Sequence, residues 1–160
     1  MAFHAKGQGA TEYLVILAVV LIIALVAISI LGVFPGMASD AKITQSATYW
    51  RGQARPISIL ASSFSKTGNG NITVSNNDAI GALHVTNMTF NSDDGTTGSL
   101  GASFWISPGS QTTVQINTVA ISKNDGDPYA FTVIIHYNDA GGLSQTEYGA
   151  APLAGKYTTG

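Results

Sequence analysis

The sequence predicts an α+β fold, in which a long apolar N-terminal helix is followed by an all-β sandwich domain. Residues 13–34 form an unbroken run without a charged residue, whereas short alternating segments separated by turn residues begin near residue 56. A chain of 160 residues has room for one ordinary domain in addition to such a helix. We therefore expect a leader over residues 1–7, a helix over 8–50 and a β-domain over 51–160.

The apolar run is long enough to cross a bilayer. At about 1.5 Å per residue, residues 13–34 would extend roughly 33 Å as a helix. The run has no polar face, so it must lie in lipid or be surrounded by protein. Three interpretations are open: a signal peptide removed after Ala38, a permanent membrane anchor, or a leader cut before the run that leaves the helix in the mature protein. The run exceeds the roughly 7–15 apolar residues of a signal peptide, which disfavours the first.

The residues before the run favour the third interpretation. They read KGQGATEY, and this string resembles the class III signal peptide of archaeal type IV pilins, in which a short basic leader ends in Gly and is followed by Gln, with Glu at the fifth mature position. The resemblance implies processing between Gly7 and Gln8, which makes Glu12 the fifth mature residue. Two departures from the family pattern, Ala10 at the third position and Ile16 at the ninth, leave the exact cut open.

The resemblance implies the structural subunit of an archaeal adhesive pilus, made as a precursor in the cytoplasmic membrane. Its partners would be a prepilin peptidase, an assembly ATPase, a membrane platform protein and further copies of itself in a helical homopolymer. The extracellular filament would attach to a host or surface receptor. An archaellin, which is a related filament subunit, and a monomeric membrane-anchored surface binding domain are the alternatives.

Glu12 is an unusual residue for the edge of an apolar helix. A carboxylate costs up to about 2.5–3.5 kcal/mol at the middle of a bilayer and less near its surface. Cleavage before Gln8 would create an α-amine that Glu12 of a neighbouring subunit could pair with, fixing axial register more than adding stability. The alternatives are that Glu12 lies at the level of the lipid headgroups, or that Gln8 cyclises and loses its charge. The residues expected at the assembly contacts are Glu12, Tyr13, Leu14, Leu17, Leu21 and Leu25.

The helix is expected to bend towards the end of the apolar run. Proline removes a backbone hydrogen bond and clashes with the preceding turn. A kink or break is therefore predicted near residues 31–36, at Gly32, Pro35 and Gly36. Beyond it, Tyr49 and Trp50 are expected to cover the base of the β-domain.

The β-domain is predicted from alternation and turn residues. Seven segments of this kind, separated by turns rich in Gly, Asn and Asp, fit an immunoglobulin-like sandwich. The expected strands are residues 57–61, 71–75, 82–90, 99–106, 112–116, 129–137 and 143–148.

Composition and motifs argue against several functions. The formal net charge is −2, so there is no basic field to attract nucleic acid. The chain has no cysteine, which excludes disulfides, thiol catalysis and cysteine-based zinc sites. It contains no phosphate-binding loop and no nucleophile elbow, and its Asp-rich strings are those of ordinary turns. We expect no enzyme activity, no cofactor and no metal.

Two sequons are candidate sites of modification. Asn71-Ile72-Thr73 and Asn87-Met88-Thr89 lie in the region that would be exported, so N-glycosylation of Asn71 and Asn87 is expected. Glycans would supply the solubility that a chain with only 10% charged residues lacks.

Overall fold

The structure contains one long helix at its N-terminal end. The computed structural model describes residues 8–79, 81–119 and 123–159, and the chain divides into two compact units, Met1–Asp40 and Ala41–Gly160. Helix α1 covers Gln8–Gly52. Its residues 8–40 belong to the first unit and residues 41–52 to the second. The predicted apolar helix is therefore confirmed.

The backbone of α1 remains helical across the predicted kink. No break interrupts the helix over residues 31–36. The side chains of residues 32–35, and with them the surroundings of Gly32 and Pro35, lie outside the described residues. A Cβ atom added at Gly36 would meet nothing within 4 Å, so this glycine borders open space. A bend in the helix axis stays a prediction.

In its described residues the second unit contains nine antiparallel strands, which confirms the α+β class. The strands are β1 Ile57–Phe64, β2 Asn69–Asn76, β3 Leu83–Asn91, β4 Thr97–Leu100, β5 Phe104–Ile106, β6 Gln111–Val119, β7 Pro128–Asn138, β8 Ser144–Tyr148 and β9 Leu153–Lys156.

The strand order matches the immunoglobulin-like arrangement. One half of the domain runs β1-β2-β6-β4 and the other runs β3-β7-β8, which corresponds to the two sheets of a seven-stranded sandwich. The halves are also joined, because three residue pairs between β3 and β4, from Thr89↔Ser99 to Asn91↔Thr97, make one continuous sheet. The short strands β5 and β9 lie off this path, on β3 and β7 respectively.

Two details differ from the predicted strands. The predicted strand over residues 99–106 is divided into β4 and β5, because the pairing of β4 with β3 ends at Ser99. Leu100 pairs only with Ile116 of β6, and the N–H of Gly101 donates to the Gln115 carbonyl of β6. The second difference is β9, which was not predicted. Its sequence, LAGK, has little intrinsic strand preference, and it forms a strand because it pairs with the first residues of β7.

The core between the two halves is aromatic at its centre. The side chains of Phe64, Phe90 and Phe131 are completely buried, and the ring of Phe64 lies 5.9 Å from that of Phe90 and 4.9 Å from that of Phe131. Tyr129 packs against the same cluster, with its ring 5.0 Å from that of Phe64. The alternating inward positions of the strands supply this core, as the sequence pattern requires.

The last turns of α1 are part of the β-domain. Trp50 is 1% exposed, and its indole N–H donates to the carbonyl of Ala151 at 3.1 Å. Ser46 Oγ accepts the N–H of Ala154 at 2.8 Å, and the Tyr49 hydroxyl accepts the N–H of Ala150 at 3.0 Å. The predicted covering of the sandwich by Tyr49 and Trp50 is confirmed, and it ties residues 41–52 to the loop before β9 and to β9 itself.

Trp50→Ala is expected to lower the free energy of unfolding of the β-domain by about 3–5 kcal/mol, because it leaves a cavity and an unpaired carbonyl at Ala151. The matched control is Trp105→Ala, since Trp105 is 65% exposed. We expect that change to cost at most about 1.5 kcal/mol. Urea titration of the full chain in detergent micelles, followed by near-ultraviolet circular dichroism of the tyrosines, measures both. Equal losses in the two variants would contradict the anchoring role of Trp50.

Candidate functional site

Between Tyr13 and Leu31 the surface of α1 is apolar in every direction. The predicted contact residues Tyr13, Leu14, Leu17, Leu21 and Leu25 are all exposed in the single chain, by 41% at Leu17 and by 55–65% at the others. The four leucines recur at spacings of three and four, so they lie along one stripe of the helix. The apolar surface is not limited to that stripe, because Val15, Ile22 and Ile23 on other faces are equally exposed.

No side chain between residues 14 and 31 needs a hydrogen-bond partner outside the helix. Between residues 14 and 31 the only polar side chain is that of Ser29, whose hydroxyl donates to the carbonyl of Leu25 at 2.8 Å. Such a bond to the preceding turn satisfies the hydroxyl within the helix itself. The segment can therefore be covered by lipid or by other apolar helices without leaving a polar group unpaired. Within the described part of the chain, α1 is the one helix long and apolar enough to span a membrane.

Glu12 lies where the apolar surface begins. It is exposed and stands four residues after Gln8, the first residue of α1. Gly7, the predicted residue before the cut, lies outside the described residues. Processing between Gly7 and Gln8 stays a prediction.

Both sequon asparagines lie on the surface of the β-domain. Asn71 is exposed on β2, and Asn87 is exposed on β3 next to a bulge in its pairing with β7. They belong to the two different halves of the strand order. Neither side chain is required by the core, so an attached glycan would displace no packed group.

The acidic turn residues are hydrogen bonded to other parts of the β-domain or to their own loops. Asp94 accepts the N–H of Thr96 and an ammonium hydrogen bond from Lys123, which holds the pKa of its carboxyl well below the usual range. Asp127 accepts the N–H of Asn124 at 2.8 Å, and Asp125 accepts that of Thr159 at 3.0 Å. Within residues 8–79, 81–119 and 123–159, no three His, Asp or Glu side chains converge on a point that could hold a metal ion.

Glu147 is a buried carboxyl that the sequence pattern did not single out. It lies on β8 opposite Ile135 and is 7% exposed. Burial raises the pKa of Glu147 to about 7, although the backbone N–H groups of Ile57, 3.1 Å from Oε2, and of Arg55 act in the opposite direction. The carboxyl thus binds the segment that leads from α1 into β1. The side chain of Glu147 points inward because of the register in which β8 pairs with β7. The sequence of β8 alone does not show which of its side chains face the core.

Comparisons with protein-family models and with curated protein sequences found no match to this chain.

The β-domain should lose stability as the pH rises through neutrality. The pKa of Glu147 is raised in the folded state, so the stabilisation is complete below the unfolded pKa of about 4.5 and is lost as the pH rises through about 7. The loss should reach up to about 3 kcal/mol at pH 8–9. Glu147→Gln, which stays neutral, should flatten this dependence and be the more stable protein at high pH.

Urea titrations of the full chain in micelles between pH 5 and 9 provide the measurement. Asp93→Asn is the control, because Asp93 is an exposed turn carboxylate for which the slope should be unchanged. Identical pH slopes for the wild type and Glu147→Gln would rule out this role for Glu147.

Proposed function

We propose that this chain is the structural subunit of an extracellular archaeal type IV pilus, which polymerises through α1 and displays the β-domain for adhesion. The precursor is held in the cytoplasmic membrane by the same helix. The proposal is supported by one observation above all: the apolar surface of α1 extends around the helix from Leu14 to Leu31, and the one polar side chain in this stretch, that of Ser29, is hydrogen bonded within the helix. A free monomer in water cannot maintain such a surface.

A polymer accounts for Glu12 better than a permanent anchor does. In an anchor, Glu12 only has to lie near the headgroups. In a filament, it pairs with the α-amine of Gln8 on a neighbouring subunit and sets the axial register of the helices. Ten β-branched residues between positions 13 and 34 give the helix a stiff surface for the packing that such an assembly needs.

The resemblance of the string KGQGATEY supplies the expected partners. A class III prepilin peptidase removes the leader, and an assembly ATPase acts with a membrane platform protein to move the helix from lipid into the filament. An archaellin-like filament would use the same helix. The membrane-anchored monomer is the alternative from a different class, and it is favoured by the length of α1, which also suffices to span a bilayer.

The identity of the mature N-terminus distinguishes the pilus from the anchor. Filaments sheared from cells are digested, and the N-terminal peptide is identified by mass spectrometry. The pilus predicts Gln8, free or cyclised, at the N-terminus of the extracellular material. Chains recovered only from membranes, with the leader still attached, would support the anchored monomer and exclude the pilus.

Glu12→Ala is expected to be processed normally but to reduce the yield of sheared filaments by about tenfold or more, because a neighbouring amine is left unpaired in an apolar core. Asp93→Ala, which removes an exposed carboxylate from a turn of the β-domain, is the matched control and should assemble normally. Electron microscopy of the sheared fraction measures the number of filaments. Immunoblots of the sheared and membrane fractions measure how much of the subunit is processed and assembled. Normal filaments from Glu12→Ala would exclude the pairing.

Asn71 and Asn87 are proposed to carry N-linked glycans in the native filament. Mass spectrometry of peptides from native material should show both asparagines modified. Asn71→Gln and Asn87→Gln should each lower the mass of the subunit by one glycan and leave the fold intact. If both asparagines are unmodified in native filaments, glycans at these sites do not keep the subunit soluble.

A further inference from the structure

The outward face of β5, β3, β7 and β8 carries a large aromatic side chain in a fixed orientation. Trp105 of β5 is 65% exposed, although it belongs to a strand in which the next residue, Ile106, is buried. Its indole stacks on the imidazole of His84, which is its direct partner on β3, with ring centroids 4.5 Å apart and planes inclined by 10°. The stack holds one face of the indole, so the ring is already positioned for a ligand and little conformational entropy is lost on binding.

Hydroxyl, amide and imidazole groups continue this face across the neighbouring strands. His84 lies opposite Asn138 of β7, and Asn138 lies opposite Ser144 of β8. The Ser144 hydroxyl donates to Oδ1 of Asn138 at 2.9 Å. In the next row His136 Nδ1 and Thr146 Oγ1 are hydrogen bonded at 3.0 Å. These pairs hold polar groups in place beside the aromatic ring, where they can form hydrogen bonds with a ligand.

No Asp, Glu, Lys or Arg side chain lies on this face. Across β3, β5, β7 and β8, all of which are described, the only Asp, Glu, Lys or Arg is Glu147, and this side chain points into the core. The nearest turn carboxylate, Asp139, accepts the backbone N–H groups of Gly141 and Leu143. A charged ligand would therefore find no partner of opposite charge on these strands, and a neutral ligand is the electrostatic match.

We propose that this face, which we call the Trp105 face, binds a neutral carbohydrate. It comprises Trp105, His84, Asn138, Ser144, His136 and Thr146. The C–H groups of a pyranose ring pack on the free side of the indole, and its hydroxyls form hydrogen bonds with the adjoining amide, imidazole and hydroxyl groups. The site belongs to the β-domain and does not require polymerisation. Carbohydrate binding would name the class of ligand for the proposed adhesive role. If no carbohydrate binds, the proposal of a filament still stands.

Two tryptophans make the test internally controlled. The full chain, labelled with ¹⁵N and made in a host without N-glycosylation, is kept unpolymerised in a polyoxyethylene detergent, whose headgroup is neither a sugar nor a cation. Glucose, galactose, mannose, N-acetylglucosamine and glucuronic acid are titrated separately while the two indole N–H resonances are recorded by NMR. Trp50 is the reference, because its indole is buried and bonded to Ala151.

The Trp105 resonance should shift saturably with at least one neutral sugar, and the Trp50 resonance should not move. In Trp105→Ala the affinity, followed at the backbone amides of β7 and β8, should fall by about tenfold or more, whereas Trp105→Phe should retain part of it. Leu143→Ala removes an equally exposed apolar side chain, at 65%, and should bind like the wild type. The proposal is overturned by no saturable shift with any neutral sugar, by a response to glucuronic acid alone, or by unchanged affinity in Trp105→Ala.

Discussion

The apolar surface of α1 has to be covered, and the role of every other part of the chain depends on what covers it. Fifteen large apolar side chains between Tyr13 and Leu31 are 41–66% exposed in the single chain. Completing their burial is worth about 1 kcal/mol for each, or on the order of 15 kcal/mol in total, which matches or exceeds the whole stability of an ordinary domain. Lipid and a bundle of helices satisfy this demand equally well, so the choice between them depends on packing shape and on Glu12.

The second unit obeys a different constraint, because it encloses an apolar core of its own. Its aromatic core is closed by the last turns of α1, with Trp50 buried and Ser46 bonded to β9. The helix therefore ends as a structural part of the sandwich, and an assembly formed by residues 13–31 carries one β-domain for each subunit. Because Glu147 is buried beside the backbone of Arg55 and Ile57, we expect this connection to respond to pH near neutrality.

Local patterns predicted much of the fold, and non-local pairing determined the remainder. The absence of charge over residues 13–34 was sufficient for the helix, and alternation was sufficient for six of the seven strands of the sandwich, all except β4. The end of β4 at Leu100 and the formation of β9 depend on partners in β6 and β7 that are distant in sequence. For the same reason, neither the buried carboxyl of Glu147 nor the stack of His84 on Trp105 could be predicted, since each arises from the register between strands.

Imaging sheared filaments by electron cryomicroscopy at side-chain resolution tests the central claim most directly. If the chain is a pilus subunit, residues 13–31 of many copies fill the filament core without lipid, and the Glu12 carboxylate of one copy lies within hydrogen-bond distance of the α-amine of Gln8 on another. The claim is contradicted if the extracellular fibres lack this helix, or if the mature chain keeps it in the membrane as a monomer.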